Sequence, residues 1–253
     1  MPASLDNPRV QYETDGKVAV VTINRPEVRN AVDGPTAATL REAFESFEDD
    51  ARLNAAVLTG AGGTFCAGFD LKAVASGRMP DIGADGPGPM GPTRSTPGKP
   101  VVAAIEGYAV GGGLELAVWC DLRVAARSAV LGVFNRRVGV PLIDGGTVRL
   151  PRLIGQGRAL DLILTGRPVN ADEALAMGLV DRVVDDGTVL TVAVELAATI
   201  ADHPQAALRA DRRSTLGAWG LELSDALASE ARLGGEALTS GEAMEGARQF
   251  RGR

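Results

Sequence analysis

A chain of 253 residues, 45% of them apolar, is long enough to bury a sizeable core, and 32 glycines with 23% charged residues indicate a turn-rich globular protein, not a disordered one. The formal charge of −6 argues against a general nucleic-acid surface, and no apolar run reaches the length of a membrane span. Cys66 and Cys120 suggest no disulfide framework, and the opening MPASLDNPRV has no basic segment followed by an apolar stretch, so a cytoplasmic location is expected.

In chain order, residues 17–23 read as a buried strand closed by a turn at Pro26. A helix is predicted over 34–50, with Leu40, Phe44 and Phe47 on one face at i, i+4 and i+7. NAAVLTG, PVVAAIEG and CDLRVAA read as three further strands, and strands alternating with loops and helices imply parallel pairing through crossovers. Residues 76–99 form a Gly/Pro-rich loop, either a flexible insertion or a substrate lid. Beyond about residue 156 the pattern turns helical; Asn170 with Glu173 resembles a capping box and Gly178 suits a helix end. The expected organisation is an α/β core over 1–190 and a helical C-terminal region over 191–253.

Several machineries are absent from the pattern. The single histidine, His203, precedes Pro204 at a helix start and reads as structural. Two cysteines and one histidine do not space a zinc site, so no metal is expected. Gly86, Gly88 and Gly91 match G-x-G-x-x-G formally, but Pro87 and Pro89 prevent a helix from starting there to hold a pyrophosphate. Two glycine-rich segments remain, TGAGGTFCAGFDLK and EGYAVGGGLELA, each following a buried strand. Glycine costs a helix roughly 1 kcal/mol against alanine. Its placement here serves either close helix–strand packing or a pair of bare N–H groups converging as an oxyanion hole.

NRPEVRNAV, GGTFCAGFDLK, KPVVAAIEGYAVGGGLELAVWCDLRVAA and VGVPLIDGGTVRLPRLIG resemble blocks of the crotonase, or enoyl-CoA hydratase/isomerase, superfamily, over residues 17–185. The resemblance implies an α/β, crotonase-like ββα spiral core, homotrimeric or hexameric assembly, and acyl-CoA thioester substrates with no separate cofactor. It makes the N–H groups of Phe69 and Gly112 the oxyanion donors and Glu115 the first of two water-activating glutamates. It places Ala67, Asp70, Leu71 and Lys72 along the coenzyme A path, and Arg25 and Val28 beside its nucleotide. Phe250 and the basic tail RQFRGR are expected to reach a neighbouring subunit's site. No nucleic-acid or membrane partner is expected.

One position departs from the family. Where hydratases carry the second glutamate, this chain has Asn135, which orients water but exchanges no proton at neutral pH. Hydration uses a base and an acid on one side of the double bond, whereas moving a proton between two carbons needs one carboxylate. Asp144, beside Gly145 and Gly146, either caps the next helix, the favoured reading, or replaces the missing acid or supplies a nucleophile. Three functions follow: hydratase or isomerase chemistry on Glu115, hydrolysis or other enolate chemistry recruiting Asp144, or acyl-CoA binding with little catalysis.

Overall fold

A computed structural model of the chain describes residues 9–77, 82–83 and 85–251, the last by its backbone alone. Parts of the 76–99 loop and of the basic tail therefore lie outside the described residues, as does most of the opening decapeptide. β1 (Val10–Asp15) and β2 (Val18–Ile23) form an antiparallel hairpin through Gly16, whose φ of 56° suits glycine. α1 (Gly34–Asp49) follows. Asp33 caps it by accepting the Thr36 N–H at 3.0 Å, and Leu40, Phe44 and Phe47 are buried together on one face.

Next along the chain are β3 (Ala55–Gly60), the short α2 (Leu71–Ala75), β4 (Val101–Ile105), β5 (Tyr108–Val110), α3 (Gly112–Trp119), β6 (Leu122–Ala126) and β7 (Val130–Gly132). α4 (Gly146–Ile154), α5 (Gln156–Thr165), β8 (Val169–Asn170), α6 (Ala171–Met177), β9 (Arg182–Val184) and α7 (Val189–Asp202) complete this part. Asn170 caps α6 by accepting the Glu173 N–H at 2.9 Å, and Gly178 ends it in the left-handed conformation, as the sequence pattern predicts.

The main sheet runs β1-β2-β3-β4-β6-β9 and is antiparallel only at β1-β2. β3 and β4 are buried almost throughout, because strands covered on both faces need apolar side chains on both. A second sheet, β5-β7-β8, has strands of three, three and two residues, too short to show an alternating pattern in the sequence.

The chain divides into two compact units, residues 1–198 and 199–253. The second holds α8 (Gln205–Gly217), α9 (Leu223–Leu238) and α10 (Glu242–Arg251), with α8 packed on α9. Here the Glu242 carboxylate accepts the Ala206 N–H at 2.7 Å, and His203 is exposed just before α8. Among the described residues no helix is long and apolar enough to cross a membrane.

Candidate active site

The two glycine-rich segments meet at backbone distance. The Cys66 N–H donates to the Tyr108 carbonyl at 2.9 Å and the Val110 N–H to the Cys66 carbonyl at 3.1 Å. On the other side, the Val32 N–H donates to Gly68 and the Asp70 N–H to Val32, each at 2.8 Å. Residues 66–70 are therefore pinned along both edges. The glycines make the approach possible. A Cβ built on Gly68, at φ +97°, would lie 2.9 Å from the Gly112 nitrogen, and one on Gly113 would lie 2.1 Å from the Cys66 carbonyl oxygen. The N–H groups of Phe69 and Gly112 enter none of these bonds, and both residues line the same cavity of about 520 Å³. Gly112 opens α3, where unpaired N–H groups concentrate partial positive charge.

Glu115 lies one turn into α3, at 2% exposure, in a helix with all eight residues buried. Its Oε1 accepts the Asp144 N–H at 2.8 Å and the Gly146 N–H at 2.9 Å. Gly146 has to be glycine for this approach, since a Cβ there would sit 2.9 Å from Oε1. Burial pushes the Glu115 carboxyl up to about 7, the neighbouring Asp144 adds to the rise, and the donated N–H bonds oppose it. Both of these N–H donors meet the same oxygen, Oε1.

Asp144 is buried as well, but it does not cap α4. The cap position belongs to Gly145, with no side-chain bond to the helix, which corrects the favoured sequence reading. The Asp144 Oδ1 instead accepts the Met90 N–H at 2.9 Å and the Thr93 hydroxyl. Burial raises its carboxyl above the ordinary value, and the bonds from Thr93 and Met90 work against that rise. Arg149 reaches back from α4, donating to the Asp144 carbonyl at 2.9 Å and the Thr93 carbonyl at 2.7 Å.

Asn135 stands in a 3-10 turn, Phe134–Val138, on the cavity wall. Its Nδ2 donates to the Val140 carbonyl at 3.0 Å, which fixes the amide's orientation. The opposite end, Oδ1, is buried without a hydrogen-bond partner among the described residues.

Of the residues singled out in the sequence, Ala67, Phe69, Leu71, Gly112, Glu115, Asn135 and Asp144 converge on this cavity, whereas Arg25, Val28, Asp70 and Lys72 do not line it. The Arg25 guanidinium is turned inward, 3.2 Å from Asp70 and 3.4 Å from Asp33, with its side chain 11% exposed. Asp70 also caps α2, accepting the Lys72 N–H at 3.0 Å. Lys72 is exposed on α2 and Val28 is half-buried. Sequence reasoning missed Met90, Thr93 and Arg149. Met90 and Thr93 sit in the Gly/Pro-rich loop at the rejected glycine motif of Gly86, Gly88 and Gly91, which pointed to no chemistry, and the Asp-Gly-Gly step marked only the start of the helix that carries Arg149.

A profile of the enoyl-CoA hydratase/isomerase family matches residues 13–253. The enoyl-CoA hydratase EchA19 of Mycobacterium tuberculosis is 37% identical over 250 residues, covering 96% of this chain and 93% of that protein. The short-chain-enoyl-CoA hydratase of Clostridium acetobutylicum is 36% identical, over 91% of this chain and 90% of its own. The crystal structure of the enoyl-CoA hydratase EchA1 from Mycobacterium marinum superposes with a TM-score of 0.92 at 38% identity, covering 97% of this chain and 96% of that one.

Proposed function

The chain belongs to the enoyl-CoA hydratase/isomerase family and has its α/β crotonase fold, and from that premise we propose that it acts on enoyl thioesters of coenzyme A with Glu115 as the single proton-carrying group. The observation that carries the proposal is the buried Glu115 carboxyl, raised to about 7, on the wall of one cavity with Phe69 and Gly112. A group poised near working pH both accepts and returns a proton efficiently.

In this reading the thioester oxygen accepts hydrogen bonds from Phe69 and Gly112, which stabilise the charge it gains as the acyl group becomes enolate-like. For hydration, water adds its oxygen to the β-carbon while its proton passes to Glu115 Oε2. The same oxygen then delivers that proton to the α-carbon, so one H and one OH are added and Glu115 ends as it began. Asn135 Oδ1 accepts the other hydrogen of the water, orienting it without exchanging a proton. The chemistry runs on these groups and draws on no cofactor besides the coenzyme A ester. Ala67 and Leu71 border the acyl and pantetheine path. Lys72, exposed on α2, serves the nucleotide end in place of Arg25, whose charge is already met by Asp33 and Asp70.

A second reading is isomerisation of a 3-enoyl to a 2-enoyl thioester, and Asn135 favours it: one base shuttles the proton and no second acid is required. Purified protein with crotonyl-CoA, and separately with a 3-enoyl-CoA, followed by the absorbance of the conjugated thioester, distinguishes the two. Absorbance falls on hydration and rises on isomerisation. Binding of both esters without turnover of either would overturn the enzymatic proposal and leave an acyl-CoA-binding protein. Trimeric or hexameric assembly belongs to the same proposal, and exposed Trp219, Leu223 and Phe250 on the C-terminal unit fit such burial; light scattering checks it.

A further inference from the structure

We propose that Asp144 is a positioning residue, whose carboxylate latches the turn 88–93, and with it Met90, as a roof over Gly112 beside Glu115. The inference rests on the reading of this cavity as the acyl site, and its location follows from four contacts. Oδ1 of Asp144 takes both the Met90 N–H and the Thr93 hydroxyl, groups 54 and 51 residues away in sequence. Arg149 binds the main-chain carbonyls of the same pair, Asp144 and Thr93, so the latch is closed twice. The Met90 side chain, 1% exposed, presses on the oxyanion glycine: a Cβ on Gly112 would lie 2.6 Å from its sulfur. The Asp144 N–H meanwhile holds Glu115 Oε1.

The turn itself is shaped to close on this carboxylate. Gly88, at φ +99°, leaves space that a Cβ would fill at 2.6 Å from the Thr93 hydroxyl oxygen and 2.9 Å from Asp144 Oδ1. Gly91, at φ +96°, seats the other side against α1, where a Cβ would lie 2.6 Å from the Ala37 carbonyl oxygen. One residue thus ties the roof of the pocket to the group that moves the proton. Releasing the latch frees Met90 from above the thioester position and loosens Glu115 together with it. Asp144 then acts through Met90 and Glu115, not by carrying a proton or attacking the substrate.

The test uses the full chain and three variants, Asp144→Asn, Asp144→Ala and Thr93→Val, with far-UV circular dichroism confirming the fold of each. Hydrogen exchange of the Met90 amide, measured without substrate, reads the latch directly. We expect exchange to speed up by about tenfold or more in Asp144→Ala and in Thr93→Val, and to stay within about threefold of wild type in Asp144→Asn, whose amide oxygen still accepts both bonds. With crotonyl-CoA, Asp144→Asn keeps kcat within about tenfold and the same pH limb, whereas Asp144→Ala and Thr93→Val raise KM more than they lower kcat. A loss of about a thousandfold in Asp144→Asn together with loss of a pH limb would make Asp144 a proton carrier and overturn the proposal. Unchanged Met90 exchange in both Asp144→Ala and Thr93→Val would overturn it as well, and Thr93→Val carries this arm alone where Asp144→Ala does not fold. The exchange arm needs no turnover, so an inactive protein would defeat the functional reading while the latch is still measured.

Discussion

Replacing Glu115 with glutamine tests the central electrostatic claim through stability before any substrate is added. The carboxyl is raised from 4.5 to about 7 chiefly by burial, so between those values the folded chain holds a proton that the unfolded chain has released. Stability therefore falls as pH rises through this window, and above it wild type bears the whole cost of a buried charge. A shift of this size corresponds to about 3 kcal/mol. Glutamine keeps an oxygen to accept the Asp144 and Gly146 N–H groups and never ionises. The stability of Glu115→Gln relative to wild type should thus climb from pH 5 to pH 8 by about 2.5 kcal/mol, most of the full shift, whatever constant offset the new NH2 group introduces. Urea unfolding followed by circular dichroism at intervals across that range measures the climb. Wild-type kcat/KM should rise with pH through about 7 as the base form appears, and Glu115→Gln should lose a factor of about 100 to 10,000. A stability difference that stays flat with pH would show that Glu115 ionises normally, and the reasoning would fail with it.

Three further substitutions probe the scaffold beneath the site. Gly68→Ala forces a methyl to within 2.9 Å of the Gly112 nitrogen at φ +97°, so it should cost about 2 kcal/mol or more and abolish thioester turnover, as urea titration and the absorbance assay would show. Asn30→Ala removes a buried amide that binds the Ala61 carbonyl at 2.8 Å, the Thr64 carbonyl and the Arg25 N–H at 2.8 Å; about 2–4 kcal/mol of stability should go with it, read from the unfolding midpoint. Lys99→Met strips the ammonium that bonds the Phe47 and Asp50 carbonyls at 2.7 and 2.8 Å, so about 2–3 kcal/mol should be lost, and amide exchange at the end of α1 should quicken.

Much of this protein is written in local patterns. Apolar residues fill β4 and dominate β2, β3 and β6, because strands buried in a mostly parallel sheet leave little room for polar side chains. The spacing of Leu40, Phe44 and Phe47 sets the buried face of α1, and Asn170 with Gly178 brackets α6, since caps and helical faces depend on neighbours within a turn or two. The two glycine segments announced the cavity, and Phe69, Gly112, Glu115, Asn135 and Asp144 all line it.

What the sequence left open depends on groups far apart along the chain. Asp144 beside two glycines looks like a helix cap until the fold brings Met90 and Thr93, 54 and 51 residues earlier, onto its carboxylate. Arg25 and Asp70, 45 residues apart, give no sign in the sequence of the ion pair that the fold makes between them. Glu115 is an ordinary carboxyl as a residue type; burial in the folded chain lifts it to about 7, against the opposing N–H groups of Asp144 and Gly146, 29 and 31 residues on. A residue's type fixes which bonds and charges it can offer, but which of them it uses, and at what pH, is set by desolvation and by partners that only the folded chain assembles.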